Sequence, residues 1–200
     1  PLGAGAFGVV ALLGTVAVFA PLFATHDPVA QDSLAVFRPP SAEHWLGTDN
    51  LGRDVYSRLL FGSRVSLVVG FSAVGLAGFL GALVGLTTGY VLGLVDLAVQ
   101  RLVDILQSLP TLVMAMAVVA ALGPSMQNVV IAIALVNIPA SVRVVRASVI
   151  ALRESEYVTA ARAVGAGGLR IALLHILPNS LAPFIVIVTA KLGAVILTEA

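Results

Sequence analysis

Side-chain chemistry needs groups that exchange protons, attack carbon or hold metals, and these 200 residues supply few in useful patterns. His26 and His44 fall in one polar stretch, while His175 stands alone in an apolar run. No Ser-His-Asp set and no His-Glu-x-x-His pair arises, so the chain offers no hydrolytic constellation and no metal-ligand set. A Gly-x-x-x-x-Gly-Lys-Ser/Thr loop is also missing, which takes nucleotide hydrolysis out of the chain's own repertoire and leaves it with no cofactor to bind. With no cysteine, neither a disulfide framework nor a thiolate site is available. Two features remain: an island of charge from Arg153 to Pro178 between long apolar segments, and a single lysine, Lys191, inside one of those segments.

Such features must be positioned by elements that suit a membrane. The chain is 59% hydrophobic and 10% charged, with mean hydropathy +1.06, and cannot present an ordinary soluble surface. The net charge is +1, and the arginines are not interleaved with aromatics, so there is no case for nucleic acid. The expected fold is all-α, a polytopic bundle in a lipid bilayer.

Residues 1–25 carry no charge and are expected to form the first transmembrane span; a cleaved signal peptide is the rival, weakened by the missing basic n-region. Residues 26–63 contain Pro28, Pro39 and Pro40 and read as a water-exposed loop with a short helix. In that helix Thr48 or Asp49 is the expected cap, and Asp54 and Arg58 are spaced to pair. Residues 64–200 form the remaining core. Between Arg64 and Asp96 lie thirty-one uncharged residues, enough for a tilted span, in which Gly81, Gly85, Gly89 and Gly93 recur every four residues as a helix-packing stripe. Arg101 and Asp104 are spaced to pair at a membrane boundary. The uncharged run Ile105 to Val142 would be over about 55 Å long as one helix, so Gly123-Pro124-Ser125 must turn it into two spans. Pro110 and Pro139 are candidate bends. Asn137 and Ser141, four apart, share one face. A fifth span runs from Ile171 to about Leu197 and holds Lys191, which either snorkels outward or faces a wet path; Glu199 is the only acid near it in sequence.

The loop at 152–170 contains a short helix, capped by Ser155 and closed by Gly165, with Tyr157, Ala160, Ala161 and Val164 on one face and Glu156 and Arg162 elsewhere. Two small alanines let a partner backbone approach closely. The alternative is an amphipathic helix resting on lipid headgroups.

Two strings carry a resemblance. Tyr157-Val-Thr-Ala-Ala-Arg162-Ala-Val-Gly165, followed by His175-Ile-Leu-Pro178-Asn179, resembles the cytoplasmic Glu-Ala-Ala loop of ABC importer permeases, with Thr159 where that family has its glutamate. His44-Trp45-Leu-Gly47-Thr48-Asp49-Asn-Leu-Gly52-Arg53-Asp54-Val-Tyr56-Ser-Arg58 resembles the signature of the dipeptide, oligopeptide and nickel branch. The resemblance implies a type I importer permease fold, with five spans of an expected six in this sequence, in a bacterial or archaeal cytoplasmic membrane. It implies a coupling helix formed by Glu156, Tyr157, Thr159, Ala160, Ala161, Arg162 and Gly165, which docks on an ATPase. The implied partners are a second homologous permease, two ATPase subunits that carry ATP and Mg, and an extracytoplasmic substrate-binding protein. The implied cargo is peptide, with nickel chelates or glutathione as alternatives. Asn137, Ser141 and Lys191 are the candidate translocation-path residues. Arginine counts place the 152–170 loop in the cytoplasm and the 26–63 loop outside. An ion-coupled secondary transporter would need a carboxylate deep in a span, and an intramembrane hydrolase would need paired catalytic groups; neither is evident.

Overall fold

A computed structural model describes residues 2–199, with side chains from 11 to 196. Pro1 and Ala200, and the expected neighbour of Lys191, the Glu199 side chain, lie outside these described residues. The described chain is all-helical apart from loops, and it divides into two compact units, Pro1–Val68 and Val69–Ala200.

In the first unit, α1 (Leu2–Val18) and α2 (Ala20–Phe23) are separated at Phe19. The cause is local: Pro21 has no N–H to offer, and its ring opposes the carbonyl one turn back. The seventeen residues of α1 rise about 26 Å, short of a hydrocarbon core of about 30 Å. A loop follows, and then α3 (Val55–Val91) begins. The expected short helix of the 26–63 loop is therefore no separate element but the first turns of a 37-residue helix. Nothing between Val55 and Val91 carries a proline, so nothing stops the helix where the charges end.

In the second unit, the rest of α3 is followed by α4 (Gly93–Ser108), α5 (Thr111–Leu122) and α6 (Met126–Arg153). Then come α7 (Glu156–Ala163), the short α8 (Gly168–Arg170), a π-helical stretch over Ile171–Ile176, and α9 (Leu177–Glu199). Among the described residues three helical runs are long and apolar enough to cross a membrane: α3, α6 and Gly168–Ile196. The α4–α5 pair makes a fourth if taken as one span bent by 94°. Pro110 therefore does more than bend a span near its start. It forces Leu109 into extended geometry (φ −90°, ψ 140°), ends α4, and starts a twelve-residue helix only about 18 Å long. At the other end of α5 the expected turn forms: Ser125 Oγ accepts from the Asn128 N–H at 3.1 Å, and the Asn128 amide donates to the carbonyls of Leu122 and Gly123 at 2.9 Å each.

The π-helical stretch has its cause in Pro178. Proline cannot donate to the carbonyl four residues back, and a turn wound one residue wider re-spaces the ladder just ahead of it.

The core of the second unit has two parts. One is built from Val69, Ala73, Val74, Ile133 and Val195, where α3, α6 and α9 meet. The other joins Leu86, Val145, Val149, Val158, Ala161, Ile171, Ala172 and Ile176, from α3, α6, α7 and the π-helical stretch. Between α3 and α6 the seam is set by glycine. A Cβ on Gly85 would come within 2.7 Å of the Val142 carbonyl and 2.9 Å of Val145 Cβ; one on Gly89 would meet the Arg146 carbonyl at 2.9 Å; one on Gly81 would collide with Ser141. Gly93 departs from the expected stripe. It lies past the end of α3 with φ +68° and has nothing within 4 Å of where a Cβ would stand.

Gly85→Leu is expected to force α3 off α6, at an overpacking cost of about 1–3 kcal/mol. Thermal melting of the detergent-solubilised protein should drop by roughly 2–4 °C per kcal/mol. Gly75→Ala, where nothing lies within 4 Å, should melt as the wild type does.

Candidate functional site

The loop signature folds around two aspartates. Asp54 sits one residue before α3 and accepts from the Ser57 N–H at 2.8 Å, so the helix cap is Asp54 and not Thr48 or Asp49. Its other oxygen meets His44 Nδ1 at 3.0 Å, and the carboxylate is buried. The expected Asp54–Arg58 pair does not form, because capping and His44 already occupy Asp54. Arg58 instead reaches Asp49, which also accepts from Arg53 Nε at 2.8 Å and from the backbone N–H groups of Leu51 and Arg53. Gly52 (φ +73°) closes this turn against the Asp32 carbonyl, where any side chain would clash.

These bonds set the charge states. Burial opposes ionisation of Asp49, but the N–H groups of Leu51 and Arg53 and the Arg53 guanidinium outweigh it and bring its pKa down to about 2. Burial likewise opposes ionisation of Asp54, and bonds from Ser57 and His44 overcome it, holding the carboxyl below its usual range.

His26 lies with its ring 4.7 Å from that of His44, and Glu43 completes a group whose ligand atoms lie within 4.8 Å of one another. Tetrahedral zinc at a Zn–N distance near 2.1 Å wants its ligands only about 3.4 Å apart. His44 Nδ1 is moreover committed to Asp54. The His44–Asp54 bond and the tilted contact between the His26 and His44 rings account for the arrangement.

The 152–170 segment forms the helix expected of it. Ser155 occupies the cap position of α7, though its hydroxyl donates back to the Leu152 carbonyl at 2.5 Å and caps nothing ahead. Gly165 (φ +83°) closes the far end: its N–H bonds the Arg162 carbonyl at 2.9 Å, and the Ala166 N–H bonds the Ala161 carbonyl at 3.0 Å. The faces divide differently from the sequence reading. Val158 (0% exposed) and Ala161 (9%) turn inward onto the cluster of α3, α6 and the π-helical stretch. Glu156, Tyr157, Thr159, Ala160 and Arg162 are exposed, and Tyr157 Oη donates to the His175 carbonyl at 3.4 Å. Ala161 thus belongs to the attachment of α7, not to its outer surface. The fully buried Val158 carried a signal that went unused, as the one β-branched aliphatic on the inward side of a short polar helix.

Two ion pairs tie α4 to α6. Arg146 grips Asp96 with both Nε and Nη2 at 2.6 Å, and Arg143 Nη2 meets Asp104 at 2.6 Å, so the expected Arg101–Asp104 pairing gives way to an interhelical one. The Arg146–Asp96 pair is bidentate, a planar guanidinium matching both carboxylate oxygens, whereas Arg143 holds Asp104 by a single bond. Arg153 Nη1 donates to the Tyr90 carbonyl at 3.1 Å and satisfies the end of α3.

The three path candidates separate. Ser141 is buried in the glycine seam and bonds back to the Asn137 carbonyl at 3.4 Å. Asn137 and Lys191 come together, with Lys191 Nζ donating to Asn137 Oδ1 at 3.1 Å. Lys191 reaches across from α9 to α6. It turns onto α6 beside a cavity of about 400 Å³ that Thr111 also lines.

A helical bundle with several segments long and apolar enough to cross a membrane, and one short helix with an exposed face, fits a multi-pass membrane protein. The chain belongs to the family described as the binding-protein-dependent transport system inner membrane component, whose model matches residues 79–200. It is similar to the dipeptide transport system permease protein DppC of Alkalihalophilus pseudofirmus, 46% identical over 92% of this chain and 61% of the relative. The probable D,D-dipeptide transport system permease protein DdpC of Escherichia coli is 43% identical over 100% of this chain and 67% of its own length. The glutathione transport system permease protein GsiD of Pectobacterium atrosepticum is 41% identical over 80% and 54% respectively. The chain thus spans about 61% of the length of the first of these relatives and about 67% of the second. A cytoplasmic-membrane location follows from the family and from the apolar helices.

The depressed Asp49 and Asp54 carboxyls predict the pH response of the loop. A folded pKa below the unfolded value near 3.8 contributes stability that is complete above that value and is lost as pH falls through the folded one, which for Asp49 is about 2. Trp45 is the only tryptophan and packs at a tilt against Tyr56, ring centroids 4.8 Å apart, so its emission should stay constant down to about pH 4 and shift between about 4 and 2. In Asp49→Asn that acid transition should shrink.

Proposed function

We propose that this chain is the membrane-spanning permease subunit of an ATP-driven importer that moves dipeptides or oligopeptides into the cell. Substrate arrives from an extracytoplasmic binding protein, a second homologous permease completes the path, and two separate ATPase subunits supply ATP hydrolysis with Mg. The observation that carries this reading is the attachment of α7. Val158 and Ala161 root a short helix in the cluster where α3, α6 and the start of the last span meet, while its other face stays open. Force applied to the open face passes into three spans at once. Thr159 in place of the family's glutamate leaves Glu156 and Arg162 as the charges available to a docking ATPase. The names of the relatives support a peptide cargo; the glutathione permease favours a second reading of the same kind, since glutathione is itself a peptide. A nickel-chelate cargo has no such support, and an ion-coupled transporter is disfavoured because Asp96 and Asp104 are already neutralised by arginines of α6.

Co-purification of the full-length protein with ATPase subunits, and peptide uptake that requires a binding protein, test the assignment. Ala160→Trp should abolish uptake and substrate-stimulated ATP hydrolysis while leaving membrane insertion and melting unchanged, because Ala160 is exposed. Ala161→Trp should lower the melting temperature first. Wild-type uptake in Ala160→Trp would remove α7 as the coupling element.

A further inference from the structure

Lys191 has no counter-charge among the described residues. Its ammonium meets a neutral amide, Asn137 Oδ1, at 3.1 Å. The contact is deep: Asn137 lies eleven residues along α6 from Met126, about 17 Å at 1.5 Å per residue, and six before Arg143, about 9 Å. The carboxylates of α4 are treated differently, with Asp96 held by Arg146 and Asp104 by Arg143. An ammonium has three donors, and one carboxamide oxygen neither uses them all nor cancels the charge. Asn137 is itself held in place, its Nδ2 bonding the Ile133 carbonyl at 2.8 Å. The pair opens on a cavity of about 400 Å³ that Thr111 and the small Ala190 and Ala194 also line, and a second cavity of about 400 Å³ shares Thr111 and Asn137. A fixed cation, a fixed amide and a hydroxyl around an open space form a receptor for a carboxylate.

We infer that Lys191, with Asn137 and Thr111, is a carboxylate-binding subsite on the translocation path, which selects peptides by an anionic group as they pass. This deepens the importer assignment and rests on it. Lys191 supplies the charge, Asn137 aims it, and Thr111 adds a neutral hydrogen bond. The carboxylate is either the peptide's C-terminus or an acidic side chain, and a three-substrate comparison separates them.

The test uses the complete importer, with its ATPases and binding protein, in proteoliposomes. Uptake is measured for Ala-Ala, for Ala-Ala amide, and for Ala-Glu amide, whose only carboxylate is on the side chain. The binding protein's own preference is common to all variants and cancels when uptake ratios are compared. Lys191→Gln should lower the ratio of Ala-Ala to its amide by about tenfold relative to wild type, while Lys191→Arg retains it. If the ratio of Ala-Glu amide to Ala-Ala amide falls as well, side-chain carboxylates use the same subsite; if it does not, the C-terminus alone is read. Asn137→Asp, which places a permanent carboxylate beside Lys191, should lower the ratio in the same way and serves where Lys191→Gln fails to assemble. Unchanged ratios in Lys191→Gln or Asn137→Asp, or a parallel loss of all three substrates in Lys191→Gln and Lys191→Arg alike, would overturn the subsite and leave the importer standing. A wild-type assembly that moves no peptide would overturn both.

Discussion

In lipid, apolar surface gains nothing by leaving its solvent, so the contact between α3 and α6 has to rest on shape. The shape is supplied by three glycines. At Gly81, Gly85 and Gly89 the two backbones run so close that a single methyl group would touch main-chain atoms of Val142, Arg146 or the Ser141 side chain. Everything else in the second unit is referenced to that seam. Its closeness brings Leu86 against Val145, and the Arg153 guanidinium within reach of the Tyr90 carbonyl. Because Arg146 lies on the seam's own ladder of residues, the same register fixes where its side chain can find Asp96 on α4.

The small helix α7 inherits its position from this arrangement. Val149 on α6 and Ile171 and Ile176 on the π-helical stretch are almost fully buried, and Val158 and Ala161 complete the same cluster. A helix of eight residues has little stability of its own, since nucleation costs more than so few hydrogen bonds return. It is stable here because tertiary packing, the Gly165 closure and the Tyr157 contact to the His175 carbonyl hold it. That dependence runs in both directions: what fixes α7 to the spans also lets α7 move them. The wide π turn just before Pro178 lies at this junction, where a helix with a re-spaced ladder bends more readily than a regular one.

The elements were legible from the sequence to the extent that a single local cause decided them. Charge-free runs marked the spans built on α3, α6 and α9 but not the break at Pro110 that leaves α5 only twelve residues long, Gly123-Pro124-Ser125 marked a turn, and the spacing from Ser155 to Gly165 marked a helix that the structure sets at Glu156–Ala163. The four-residue glycine spacing located the seam but overran it at Gly93, because periodicity does not reveal where a helix stops. What escaped were choices among partners. Asp54 and Arg58 have helical pairing spacing, as do Arg101 and Asp104, yet in each case a residue far away in sequence offered a better-oriented bond: His44 to Asp54, Asp49 to Arg58, and Arg143 to Asp104. The inward turn of Ala161 escaped for a related reason, since a helix of two turns has too few residues to say which of two mixed faces is the buried one.

Ionisable groups at membrane level divide by whether the protein itself compensates them. The Asp96–Arg146 pair has a bidentate geometry at 2.6 Å with Asp96 buried, so removing one partner would strand the other, and it behaves as a clasp between α4 and α6. A clasp of that kind is closed to a passing ligand, because both charges are already spent on each other. Lys191 and Asn137 have the opposite character: one charge, one amide, and an open cavity beside them. Had the lysine's role been to anchor the span at its interface, the flexible side chain would gain most by extending toward water. It lies instead against α6, at Asn137, two residues before Pro139, whose missing N–H removes the hydrogen bond to the Leu135 carbonyl. A cation held at an irregular point of one span by the side chain of another is sensitive to any relative motion of the two. Displacement of α9 against α6 would change the ammonium's surroundings without breaking an ion pair, which is the property a site needs if it is to hold an anion in one conformation and release it in the next.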